Sequence, residues 1–411
     1  MIRPPVPAGT KTGGDDRRAA RRAVAGLAVT QTIGYGALSY AFAVLIGPVA
    51  AELRTSTTVV TGAFTASVLT AAALAIPVGR LLDRRGGRAL MTGGSLLGTL
   101  MLLAFGGVHH VWHLYAVQIG IGAAAAASLY EAAFAVVIAG LPAERRATAL
   151  LAITVVAGFA SSIFLPLTGW LTEAHGWRAA LVVLAAIQAL TVPLHAVTVR
   201  RSAYARPARG APRPGALREA LRDRGFWLLA AGFTAHAAAT STLTVHLVGA
   251  LVAWGHPPAF AATIAGLLGV LSVTGRLLTT GLQRRHGTAT VTAAVFGVQA
   301  VAALAMPVAG ATAAGAVVAV AGFGLGFGVA TIARPALLAE RYDPGRYATL
   351  AGVLVVPATL AKATAPLAAA GLPGPAGILV AAAACCAIAA AGIGALATGP
   401  GAGVRVGRMT D

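Results

Sequence analysis

Charge is scarce in this chain. Of its 411 residues only 10% are charged, and 12 are Asp or Glu against 31 Lys and Arg. Lysine is scarcer still, with Lys11 and Lys362 alone against a background of arginine. Cysteine occurs twice, as the adjacent Cys385 and Cys386, which offer neither a disulfide framework nor a metal-ligand spacing and read as helix packing. No G-x-x-x-x-G-K-S/T phosphate loop is present, so the chain lacks a cradle for ATP hydrolysis. A non-enzyme without cofactor or metal, driven by an ion or solute gradient, is the expectation.

What the chain does have is apolar length. It is 57% hydrophobic, with 51 glycines and a mean hydropathy of +0.80, far too apolar for a soluble domain. A bilayer span takes about 20 apolar residues. Twelve such runs stand at roughly 23–48, 57–79, 88–108, 112–140, 147–172, 178–199, 226–252, 258–281, 289–309, 312–338, 348–371 and 375–398. The expected fold is an all-α integral membrane protein with 12 transmembrane helices. The first run shows no small-residue cleavage pattern and is expected to be retained.

The net charge of +19 raises the question of nucleic acid, and its placement answers it. Basic residues fall in the N-terminal tail (Arg17, Arg18, Arg21, Arg22), after run 2 (Arg84, Arg85, Arg88) and after run 4 (Arg145, Arg146). They recur after run 8 (Arg284, Arg285), after run 10 (Arg341, Arg346) and in the C-terminal tail (Arg405, Arg408), whereas the opposite loops carry only Arg54 and Arg178. This asymmetry is that of the positive-inside rule, which sets orientation and not a ligand. It predicts cytoplasmic termini in a plasma-membrane protein, and no nucleic-acid partner.

Residues 200–225 form the one long polar segment inside the chain, rich in Arg, Pro and Gly. They divide it into a tail (1–22), a six-helix bundle (23–199), a cytoplasmic linker (200–225), a second bundle (226–398) and a second tail (399–411). The halves repeat at an offset of about 200 residues: Arg146 falls on Arg346, Leu150 on Leu350, and Pro166 with Leu167 on Pro366 with Leu367. Parallel six-helix repeats place a substrate site near the midplane between the halves, with alternating access by rocking.

The stretch GRLLDRRGGR, with Gly79, Asp83, Arg84, Gly86 and Arg88, resembles the loop signature of the major facilitator superfamily. Gly79 permits close helix approach. Asp83 is placed to meet an Arg or a helix N-terminus across the bundle and hold the cytoplasmic gate shut. The second copy keeps Arg284, Arg285 and Gly287 but carries Gln283 in place of the acid, and GWR at 176–178 is also similar to the superfamily.

An ionisable group in the bilayer costs about 2.5–3.5 kcal/mol or more on insertion scales, so each asks for a reason. The candidates are Arg276, Arg334 and Lys362 against a single acid, Glu131. With one acid for three bases, at least two positive charges are expected to lack a protein partner, and an anionic substrate would supply it. Lys362 interrupts an apolar run where arginine is otherwise the rule, and an ammonium is a compact charge on a flexible stem. The alternative is a lysine that snorkels or meets carbonyls freed by Pro357 and Pro366.

A basic pair in helices 8 and 11 resembles that of the oxalate/formate antiporters, which implies that Arg276 and Lys362 hold substrate carboxylates. The monocarboxylate transporters share the helix 8 arginine, but this chain has Ser272 where they place a proton-coupling aspartate. Tyr35, Tyr40 and Gln31 in helix 1 and Tyr130 in helix 4 are further cavity-lining candidates. Glu131 and Arg334 hold nearly corresponding positions of the two halves. Paired, they form a cytoplasmic-side gate or a structural bridge; unpaired, Glu131 becomes a proton carrier. His236 and His246, ten residues apart, lie about 80° from each other around a helix and suit packing or hydrogen bonding better than a metal.

The function expected from the sequence is a monomeric secondary transporter that carries small mono- or dicarboxylates by antiport or proton symport. A proton-coupled exporter of drugs or other apolar compounds is the alternative, disfavoured by three bases to one acid.

Overall fold

The computed structural model describes residues 13–199, 215–283 and 285–398. Residues 1–12 with Lys11, the C-terminal tail with Arg405 and Arg408, most of the linker, and Arg284 lie outside the described residues, while 13–22, expected as tail, are helical and continue into the first span. Among those described, eleven helices are long and apolar enough to cross a membrane. One of them, Ala143–Thr198, has 56 residues, about 84 Å at 1.5 Å per residue, far more than one bilayer. It folds back at Gly176, whose φ of 81° is a backbone setting that glycine alone adopts without cost. Twelve spans result.

They are α1 (Arg18–Glu52), α2 (Thr57–Arg85), α3 (Gly87–Gly106), α4 (Val111–Gly140), α5 and α6 (Ala143–Thr198, before and after Gly176), α7 (Arg224–Ala253), α8 (Thr263–Gln283), α9 (Thr288–Ala309), α10 (Ala313–Arg341), α11 (Pro344–Ala370) and α12 (Gly374–Ala397). The linker ends in a short helix, Ala216–Arg222.

The apolar core shows how the two bundles meet. One cluster draws on both halves, with Leu27, Leu82, Phe134, Leu150 and Ile153 packed together with Phe226, Leu337, Leu350 and Leu354. It lies toward the Arg-rich ends of the helices. Toward the other ends the core is split: Phe42, Phe105, Phe164 and Trp177 belong to a cluster of the first bundle alone, and Leu243, Leu268, Phe323 and Leu379 to one of the second. The bundles are joined on the Arg-rich side and parted on the opposite one.

The joined side depends on close contact of α2 with α11. A Cβ at Gly79 would overlap the Ala348 carbonyl, and one at Gly352 would overlap the Ala75 carbonyl, so each helix presses a glycine against the other's backbone. Asp83, one turn on from Gly79, accepts from Ala348 N at 3.1 Å and Thr349 N at 2.9 Å, and from the Thr349 hydroxyl. An acid of the first bundle thereby caps the N-terminus of α11 in the second, where unpaired N–H groups and the helix dipole favour a negative charge. Gly86, with φ 78°, ends α2 and turns the chain directly into α3. Arg84 is exposed and Arg88 half-buried beside that turn.

On the parted side the GWR stretch has a structural explanation. Arg178 pairs with Glu52 and donates to the Gly106 carbonyl at 2.9 Å and the Val108 carbonyl at 2.8 Å, while Trp177 Nε1 donates to Glu52 at 2.6 Å. The ends of α1, α3 and α6 are tied by this one node.

Several spans are not continuous. α4 breaks at Leu129 (ψ −160°), α5 at Gly158–Phe159 and α10 around Gly328, and α1 contains a π-helical turn, Gly36–Tyr40. Broken helices release carbonyls inside the protein, and those carbonyls require donors.

Candidate functional site

A cavity of about 650 Å³ lies between the bundles, and α1, α2, α4, α5, α7, α8, α10 and α11 all contribute to its wall. Gly79, Leu82 and Ala348, from the joined side, are at one end; Tyr40, Phe64, Thr244 and Val245 also line it. Tyr35, Tyr130, Glu131, Arg276, Arg334 and Lys362 all line this cavity. Six sequence candidates from five different helices are thus brought to one place.

Gln31 is not among the lining residues. It is fully buried, and its amide donates to the Ser128 carbonyl at 2.9 Å. That carbonyl sits at the break in α4, so Gln31 supplies the donor that the interrupted helix has lost.

Arg276 also serves the backbone. Its Nη1 donates to the Thr154 carbonyl at 2.9 Å, its Nε to the Gly328 carbonyl at 3.2 Å, and its Nη2 to the Ser272 hydroxyl at 3.1 Å. Thr154 lies one turn before the break in α5, and Gly328 lies at the break in α10. Each carbonyl also keeps a donor from its own helix, Gly158 N for Thr154 at 3.0 Å and the Thr331 hydroxyl for Gly328 at 2.6 Å, so the guanidinium adds a second bond to each and crosses from the second bundle to the first. Ser272, at the position where the resemblance leads one to look for an acid, is part of its shell.

Arg334 pairs with Glu131 across the bundles. Both follow a helix break, Glu131 two residues after Leu129 and Arg334 six after Gly328, so the repeat places them opposite each other. The expectation of at least two cations without a protein partner is therefore corrected. Arg334 has an acid and Arg276 has three acceptors, because a hydroxyl and the second lone pairs of backbone carbonyls are oxygens that a hydropathy reading does not count.

Lys362 differs from both. Its side chain is exposed into the cavity, and among the described residues its ammonium has no hydrogen-bond or ion-pair partner. It does not meet the carbonyls that proline frees. Pro366 has no N–H to bond the Lys362 carbonyl four residues earlier, and that carbonyl accepts instead from Ser241 of α7 at 2.6 Å. The Pro366 carbonyl takes His246 Nε2 at 3.0 Å. His236 is held by Gln299 at 2.9 Å and stacked on Phe296. Both histidines are bound within the protein, and the described residues contain no group of three or more metal-ligating side chains.

The aromatic wall of the cavity was only partly legible beforehand. Tyr35 and Tyr130 pack with ring centroids 4.5 Å apart, and Phe64 and Phe327 add to the lining without having stood out in the sequence. Neither carries a charge or interrupts an apolar run, so no local signal separates them from core residues.

Twelve apolar helices in two repeated bundles, joined at one end and parted at the other around a cavity, define a polytopic membrane protein of the two-bundle class. The chain belongs to the Major Facilitator Superfamily, whose sequence profile matches residues 27–366. An MFS-type efflux pump of Mycolicibacterium smegmatis is 30% identical over 237 residues, which are 56% of this chain and 54% of the pump. The chain thus spans about half the length of that relative. Among solved structures, a bacterial homologue of the iron transporter ferroportin in an outward-facing state superposes with TM-score 0.74 at 16% identity, covering 92% of this chain and 98% of its own. The transporter FucP in the outward conformation gives 0.70 at 15% identity, covering 92% and 99%. The human organic anion transporter MFSD10 gives 0.68 at 14%, again covering 92% and 99%. At such identities these likenesses show the fold.

Proposed function

We propose that this protein is an alternating-access carrier of small organic anions. The observation that carries the reading is Lys362, a cation facing the cavity with no partner of its own, in a lining that holds Arg276, Arg334 and Lys362 against the single acid Glu131. An anion is what such a site lacks. In this reading 23–199 and 226–398 are the rocking bodies, the Arg-rich side is cytoplasmic, and the state described opens outward from the plasma membrane. Asp83 on α11, Gly79 against Ala348, Arg276 on Thr154 and Glu131 with Arg334 are the contacts that must part for inward opening. Antiport needs no further group; proton symport would use Glu131 when Arg334 releases it. The resemblance to oxalate/formate antiporters and monocarboxylate transporters supports carboxylates as cargo.

A second reading, export of drugs or other apolar compounds, is favoured by the named activity of the mycobacterial relative. Counterflow in proteoliposomes separates the two. With labelled oxalate, formate, lactate, pyruvate and a cationic dye offered in turn, the wild type should exchange carboxylates and Lys362→Gln should not. Movement of the dye alone, or undiminished carboxylate exchange by the variant, would give the exporter reading the lead.

A further inference from the structure

Among the described residues, Lys362 is the one cation of the lining whose charged group has no protein partner. Arg334 is neutralised by Glu131, and Arg276 already donates to two carbonyls and a hydroxyl. Lys362 alone offers a carboxylate an ammonium with every donor unspent, whereas each nitrogen of Arg276 is already engaged. A second carboxylate would have to compete for Arg276, whose nitrogens are already engaged at Thr154, Gly328 and Ser272.

The space around Lys362 is far larger than a two- or three-carbon acid. Cavities of about 300–1,000 Å³ with apolar and aromatic walls and few polar groups enclose drug-sized ligands, and this one, at about 650 Å³, falls within that range. Its rings are Tyr35, Tyr40, Phe64, Tyr130 and Phe327. All but Phe327 belong to the first bundle, whereas Lys362 belongs to the second. Formate, oxalate or lactate bound at the lysine would leave that ring wall without contact.

We infer that the substrate is an amphipathic monoanion, one carboxylate on a bulky apolar or aromatic body, with its head on Lys362 of α11 and its body on the ring wall of α1, α2 and α4. This inference rests on the organic-anion reading above and narrows it. It also connects binding to movement: such a molecule touches both bundles at once, and a small acid on the lysine touches one. The efflux-pump relative and the cationic site then cease to conflict, since an apolar acid satisfies both.

Binding to the purified full-length chain, measured by calorimetry, tests this with five ligands: 3-phenylpropionate, its neutral amide, lactate, oxalate and phthalate. The phenyl acid should bind about tenfold or more tighter than lactate, the factor expected from burying one ring, and tighter than its amide or either dianion. Phe64→Leu, which keeps an apolar side chain beside Phe42, should weaken the phenyl acid and leave lactate unchanged. Lactate, oxalate or phthalate binding as tightly as the phenyl acid would overturn this inference and leave the carboxylate reading standing. An amide that binds as well as its acid, or no binding by any of the acids, would overturn both. The ligand series on the wild type decides the matter even if the variant fails to fold.

Discussion

At the residue scale, the polar side chains within the membrane divide by what they bond. Gln31 bonds the carbonyl at the break in α4, Arg276 adds bonds to two carbonyls and a hydroxyl, Glu131 and Arg334 serve each other, and the Lys362 ammonium bonds none of the described residues. Replacing Lys362 by Gln removes a charge-assisted contact worth about 1.5–3 kcal/mol, so substrate affinity should fall about 10- to 100-fold while thermal unfolding in detergent stays near wild type. Gln31→Ala should do the reverse. It leaves the Ser128 carbonyl unpaired at a cost of about 1–3 kcal/mol, which a lowered Tm would report, with affinity unchanged. The rarity of lysine was enough to single out Lys362. Nothing local distinguished Arg276 from it, because the carbonyls that occupy Arg276 come from α5 and α10, more than fifty residues away on either side.

At the element scale, the decisive contact is α2 against α11. Gly79 allows the backbones to touch, and Asp83 sets its charge on the α11 N-terminus. Gly79→Leu should hold the two helices apart and raise the labelling of a cysteine placed at the Arg-rich end of α11. Asp83→Asn should shift the same readout less, since a carboxylate at a helix N-terminus contributes about 0.3–1 kcal/mol when exposed and up to about 2 when partly buried. The close helix approach at Gly79 and the helix N-terminus as one of two possible partners of Asp83 were legible from the GRLLDRRGGR motif. The breaks in α4, α5 and α10 were not, since the residues around Leu129, Phe159 and Gly328 are as apolar as their neighbours and hydropathy does not register backbone direction.

At the scale of the whole molecule, one core is shared by the bundles on one side and two separate cores stand on the other. Spin labels across the two bundles should report short distances at the Arg-rich ends and long ones at the opposite ends. Reversing the inter-bundle pair tests its part in that arrangement. Glu131→Arg or Arg334→Glu alone should open the Arg-rich side by placing like charges together, and the double exchange should restore the wild-type distances, as a direct pair requires.

The sequence by itself determined that the chain lies in a membrane, that it crosses twelve times in two repeated halves, and which ionisable residues its helices carry. These follow from hydropathy, from the sidedness of arginine and from a constant offset between the halves, all of which are written along one dimension. Only the tertiary structure decided which of those charges is free. A buried cation is satisfied by whatever oxygens the fold brings to it, and here those oxygens are carbonyls and a carboxylate on helices that are distant in sequence and adjacent in space.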